Sequence, residues 1–164
     1  MNLSLSQVRI ALGILAALAA ALLLNHYIVT DKKRVERTVQ EMASAAAKGD
    51  VPLLFSHVSA DYRDDAMSRD QLMSLATKVL GRYAATSVGI QWINVNVSGA
   101  LAHAQVAISA GEEGGAFTAR YGSSEWSAEF RKEADGVWRM TSVTPTRIYG
   151  REVSGWRDLL RRFE

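Results

Sequence analysis

The histidines at positions 26, 57 and 103 are the obvious metal-ligating candidates in this chain, and no cysteine accompanies them. They lie far apart, without the close spacing by which a helix or hairpin presents two ligands to one metal, so no metal site is expected. His57, at a helix end, reads as a surface or capping residue. His103 alternates with Ala102 and Ala104 and therefore faces either the interior or solvent. Glycine patterns that cradle phosphate are also missing. There is no Gly-Lys-Ser/Thr loop and no dinucleotide fingerprint, and the Gly111–Gly115 loop carries two glutamates that would repel phosphate. No cofactor is expected on these grounds. The remaining candidates are aromatic: Trp92, Trp126, Trp138 and Tyr121 fall on strand patterns, where they either fill a core or line a cavity for an apolar ligand.

Those residues need elements to position them. From Thr30 to Lys48, Val35, Val39, Met42, Ala43 and Ala46 recur at three- and four-residue spacing, predicting a helix that stops at Gly49. Asp50 is placed to cap a short second helix with Pro52 in its first turn and Leu53, Leu54 and Val58 on its buried face. Ser68 and Gln71 have the spacing of a capping box and open a third helix, with Leu72, Leu75, Ala76, Val79 and Leu80 inward. Beyond Gly81 the period changes to two. Val88, Ile90 and Trp92 alternate, then Ile93, Val95 and Val97 on the opposite phase, as a β-bulge produces. Ser98-Gly99 turns the chain into Ala102, Ala104, Val106 and Ile108. A long third strand slips phase between Tyr121 and Trp126, and Asp135-Gly136 joins it to a last strand with Trp138, Met140 and Val143. Helices followed by a bent antiparallel meander predict an α+β fold with helices on one face of a curved sheet.

Ahead of this domain, Ile10 to Val29 contains no Asp, Glu, Lys or Arg. At about 1.5 Å rise per residue, roughly 20 apolar residues span a hydrocarbon core of about 30 Å. The run is expected to be an uncleaved transmembrane anchor. The alternatives are a signal peptide cleaved after Ala19-Ala20-Ala21 and a buried helix, but Leu22 to Leu24 and Tyr27 to Val29 prolong the apolar stretch. Lys32, Lys33, Arg34 and Arg37 follow directly, which by the positive-inside rule puts the domain on the cytoplasmic side of a bacterial inner membrane; the alternative is the periplasmic side. The expected layout is an anchor at 1–30, a folded domain at 31–146 and a tail at 147–164.

The order of parts resembles the nuclear transport factor 2-like superfamily, the cone-shaped α+β roll also found in SnoaL-like cyclases and ketosteroid isomerases. The resemblance covers about Lys32 to Thr146. It rests on Lys48-Gly49-Asp50 before Leu53-Leu54, the Asp61-Tyr62 step, and Glu129-Phe130-Arg131-Lys132 turning into Gly136-Val137-Trp138-Arg139. Enzymes of this kind hold an aspartate base after the second helix, and the matching segment here offers Asp64 or Asp65. Their phenolic donor on the first helix has no counterpart, because Val35, Val39 and Met42 occupy that face. The resemblance also implies a cone, for which Tyr62, Trp92, His103, Tyr121 and Trp126 are the ligand-pocket candidates, and pairing of two copies through the sheet.

The tail is amphipathic. Val153, Trp156, Leu159, Leu160 and Phe163 share one helical face, with Arg157, Arg161 and Arg162 on others, suiting a membrane interface or a partner groove; the alternative is that the segment folds back onto its own domain. It has five arginines against three acids, in a chain whose net charge is only +2. With the basic residues 32–37, it is expected to contact the lipid bilayer or other membrane-protein subunits. No basic, aromatic-interleaved face suited to nucleic acid appears on the strands. The leading expectation is a non-catalytic, membrane-anchored accessory subunit; the alternatives are a tethered binder of an apolar small molecule and, behind it, an isomerase, dehydratase or hydrolase.

Overall fold

Residues 30–82, 86–112 and 120–161 are described by a computed structural model. The apolar run at 10–29 lies outside them, as do Arg162 and Phe163. Among the described residues no helix is long and apolar enough to cross a membrane.

Helix α1 (Asp31–Ala47) buries Val35, Thr38, Val39 and Ala45 and ends at Gly49, whose φ of 67° a side chain would resist. Asp50 caps α2 (Val51–Ser56) by accepting from the Leu53 amide at 3.0 Å. The buried face of α2 differs from the expected one. Phe55 and Val58 are buried, while Leu53 is 44% exposed, because Phe55 takes the inward position of this short helix. The capping box at α3 (Arg69–Arg82) is reciprocal: Gln71 Oε1 accepts from the Ser68 amide at 2.8 Å and Ser68 Oγ from the Gln71 amide at 3.5 Å. Val79, expected inward, is 45% exposed. Arg69 ties α3 to α2 by donating to the Phe55 carbonyl at 3.2 Å, with its guanidinium 5.6 Å from the Phe55 ring centroid.

The sheet is antiparallel, in the order β1 (Thr86–Ser98), β2 (Leu101–Glu112), β3 (Arg120–Lys132), β4 (Trp138–Ile148), β5 (Arg151–Glu152). The two-residue β5 is an addition to the four strands read from the pattern. Both phase slips in the sequence are register breaks. One falls between Ile90 and Trp92. The other sits around Tyr121, which β2 skips because Gly111 pairs with Arg120 and Ala110 with Gly122. Two further shifts, at Glu125/Trp126 and Glu129/Phe130, break the pairing of β3 with β4. Pro145 lies opposite Trp126 beside one of them, where the missing N–H is tolerated.

Such breaks curl the sheet, and its concave face holds the core: Val95, Ala102, Ala104, Val106, Ala128, Phe130, Trp138 and Met140, packed with Val35, Val39, Phe55 and Val58. The edge of β4 is covered in two places. Residues 57–63 pair alongside it, with Ser59 N donating to Met140 O and Met140 N to His57 O, both at 2.9 Å, and β5 covers its far end.

One polar pin fixes where α1 starts. The Asp31 carboxylate accepts from Trp138 Nε1 at 3.2 Å and from Lys132 Nζ at 3.1 Å. The indole N–H, then the ammonium, holds its carboxyl below the usual carboxylate range. A depressed carboxylate contributes stability above its unfolded pKa of about 4 and loses it as pH falls through the folded value. Asp31→Asn is therefore expected to lower the melting temperature at neutral pH, with the two proteins converging in acid. Parallel melting curves from pH 7 to pH 3 would show that the pin contributes nothing through its charge.

Candidate binding cavity in the cone

Away from the Trp138 end, the core is not filled. A cavity of about 300 Å³ lies between the helices and the sheet. From α1 it is lined by Val39, Met42, Ala43 and Ala46; from α2 and the turn after it by Leu54, Phe55 and Val58; from α3 by Leu72 and Ala76. The sheet contributes Val88, Val106, Ile108, Trp126, Ala128, Phe130, Met140 and Val143, and the tail contributes Trp156. Every lining side chain is apolar or aromatic. The cause is legible in the residue types. Ala43, Ala46, Ala76 and Ala128 come from a helix, a helix and a strand that face a common interior, and side chains that short leave its centre empty.

The two indole N–H groups on this wall are already used. Trp126 Nε1 donates to Ser124 Oγ at 2.8 Å and Trp156 Nε1 to the Val143 carbonyl at 2.7 Å. Their rings meet at 5.4 Å between centroids, tilted by 53°. Among the described residues, what faces the cavity is therefore hydrocarbon, thioether and ring surface.

Asp64 and Asp65 do not line this space. Asp64 closes the turn before α3: its Oδ1 accepts from the amides of Ala66 at 2.8 Å and Met67 at 2.7 Å, and its Oδ2 from the Tyr62 hydroxyl at 2.5 Å. Tyr62 is buried, and burial, reinforced by that carboxylate, pushes its phenol up, so it stays a donor at any ordinary pH. Asp65 is exposed and belongs to the tail contact, since its carbonyl accepts from Arg157 Nη2 at 2.6 Å.

The other candidates are dispersed. Among the described pocket candidates, Trp126 lines the cavity and Tyr62 sits in the core. Trp92 is 44% exposed, because the register break at Gln91 turns it to the convex face of the sheet. His103 is on that face too, with its Nε2 2.7 Å from Ser127 Oγ. Tyr121 belongs to β3, and its side chain is outside the described residues. Lys32, Lys33, Arg34 and Arg37 are exposed on the first turns of α1. On α4 (Trp156–Arg161), Trp156 is buried, while Leu160, Arg157 and Arg161 are exposed. Sequence reading found Met42, Ala43, Ala46, Leu72 and Ala76 as inward faces but not as the wall of a cavity; the signal was the small size of the three alanines.

No family model matches the chain, and no curated protein matches it. Solved structures do. A protein of unknown function with a cystatin-like fold from Nostoc punctiforme superimposes with a TM-score of 0.61 at 15% identity, over 70% of this chain and 89% of that one. The chain folds as an NTF2-like, cystatin-like roll. An NTF2-like protein from Novosphingobium aromaticivorans gives a TM-score of 0.57 at 19% identity over 79% and 86% of the two chains. A third neighbour, an NTF2-like protein from Streptomyces avermitilis with a provisional dehydratase name, gives 0.58 at 17% identity over 72% and 97%. Identities this low speak for the roll and not for a shared reaction.

The Asp64 geometry is that of a turn clamp. Asp64→Ala orphans two amides and the Tyr62 hydroxyl, so it is expected to cost about 1–3 kcal/mol, read by denaturant unfolding. Asp65→Asn, which keeps the carbonyl that Arg157 uses, should leave stability within about 0.5 kcal/mol of the parent. Equal effects of the two changes would remove the clamp.

Proposed function

We propose that this roll binds a neutral, apolar small molecule in its cone, without transforming it. One observation carries the reading: a cavity of about 300 Å³ whose lining side chains are all apolar or aromatic, the indole N–H groups already hydrogen-bonded. Ligand pockets run from about 300 to 1,000 Å³ and combine apolar walls with a few polar groups that orient the ligand. Among the described residues no polar side chain lines it, which favours retention of a hydrocarbon-like body over orientation for chemistry. An apolar cavity of about 150 Å³ stays dry and takes one benzene ring, so about twice that volume suits two fused rings or a chain of similar bulk.

Saturating naphthalene is expected to raise the melting temperature of the full chain in mild detergent, because a ligand at about 100 times its dissociation constant adds about 2.7 kcal/mol to the folded state. Ala76→Phe fills the space and should abolish that rise while the protein stays folded. A parent melting temperature indifferent to naphthalene would sink the reading.

The uncharged run at 10–29 followed by Lys32, Lys33, Arg34 and Arg37 supports tethering of this binding domain to a bilayer, with the domain on the cytoplasmic side. A second reading, an accessory subunit docked on a larger membrane assembly, draws on the exposed Tyr149 and Leu160 beside Arg157 and Arg161. Alkaline carbonate washing should leave the full chain in the membrane pellet, and its release would end the tether. A pull-down from those membranes in mild detergent should recover the chain without a stoichiometric partner. A stoichiometric membrane protein in that pull-down would put the accessory reading first.

A further inference from the structure

The tail reaches the cavity through one side chain. After β5, Val153 N donates to the Thr146 carbonyl at 3.1 Å and Val153 is buried, which lays the tail back along β4. Gly155 then turns the chain with a φ of 108°, and a Cβ there would lie 3.2 Å from Asp65 Oδ2. That turn delivers Trp156 to the cone. Its ring joins the wall of the cavity, tilts against Trp126 and is 7% exposed, while its N–H is held by Val143 O. Arg157, the next residue, clamps the turn from outside by donating to the Asp65 carbonyl at 2.6 Å.

We propose that Trp156 is the size-determining residue of the cone: the tail supplies an end wall whose indole sets the largest ligand the cavity accepts. This rests on the cone being a ligand site. Trp156 is suited to the role for three reasons. It is the largest lining side chain that does not belong to a helix or strand of the roll itself. Its orientation is fixed at both ends of the indole, by the hydrogen bond to Val143 and by the ring of Trp126. Its removal enlarges the cavity without touching the sheet ladders or α1–α3. Ala43, Ala46, Ala76 and Ala128 leave the space open, and Trp156 bounds it.

The test uses the full chain in mild detergent with ¹⁵N-labelled indoles, so that the Trp126 and Trp156 N–H resonances report on the site rather than on probe dissolved in micelles. Naphthalene is expected to shift Trp126 saturably in the parent and pyrene is not. In Trp156→Ala, pyrene should titrate Trp126, moving the pyrene-to-naphthalene affinity ratio by about tenfold or more. Trp156→Leu keeps an apolar plug of smaller size and should shift the ratio the same way, covering the case in which the alanine variant does not fold. The parent alone supplies a third check: at saturation naphthalene should shift the Trp156 N–H more than benzene does. Naphthalene binding with an unchanged size preference in the variants, or a Trp156 resonance indifferent to bound naphthalene, overturns the proposal and leaves the cavity reading intact. A Trp126 resonance that no probe moves in the parent fails both.

Discussion

The register breaks in the sheet are the constraint from which the rest of this domain follows. Twisted antiparallel strands of eleven to thirteen residues would form an open ribbon if every residue paired in step. Extra residues at Gln91 and Tyr121, and the shifts beside Trp126 and Phe130, bend the strands one after another toward the same side. The bent sheet wraps α1 instead of lying against it. At one end Trp138 and Phe130, both nearly inaccessible, fill the wrap, and Asp31 locks the start of α1 to them. At the other end the wrap is wider than the side chains within it.

The wall of that wider end is built partly from short side chains, Ala43, Ala46, Ala76 and Ala128. Larger apolar residues there would bury more hydrocarbon surface, worth about 25 cal/mol per Å². A ligand bound in the same place would stabilise the fold by mass action instead.

The folded parts were legible in the sequence to the extent that their causes were local. The caps at Asp50 and Ser68, the stop at Gly49 and the phase slip at Gln91 are each set by a few adjacent residues and could be read directly. So could the α+β order. The orientation of individual aromatic side chains could not. Trp92 belongs by alternation to the phase of Val88 and Ile90, yet the extra residue lies just before it and turns it outward. Leu53 and Val79 fall inward by helical period, yet they stand 44% and 45% exposed. The acidic run at 61–65 offered Asp64 and Asp65 as candidates only through the resemblance to enzymes that hold a base there. Its geometry is that of a turn, where Asp64 spends both oxygens on backbone amides and Tyr62.

The tail shows why amphipathic pattern alone underdetermines a destination. Its apolar face could lie on lipid, on a partner or on its own domain. What separates them is the indole N–H, which has to find an acceptor wherever the ring is buried. The Val143 carbonyl offers one at 2.7 Å on the concave side of β4, next to a tryptophan face already in place. The same residue that suits the segment to a membrane interface therefore gives it a specific reason to fold back, while Leu160 and Arg161 of α4 are exposed. The polar side of the turn is tied to the domain as well, Arg157 donating to the Asp65 carbonyl and Asp158 accepting from the Ser154 amide.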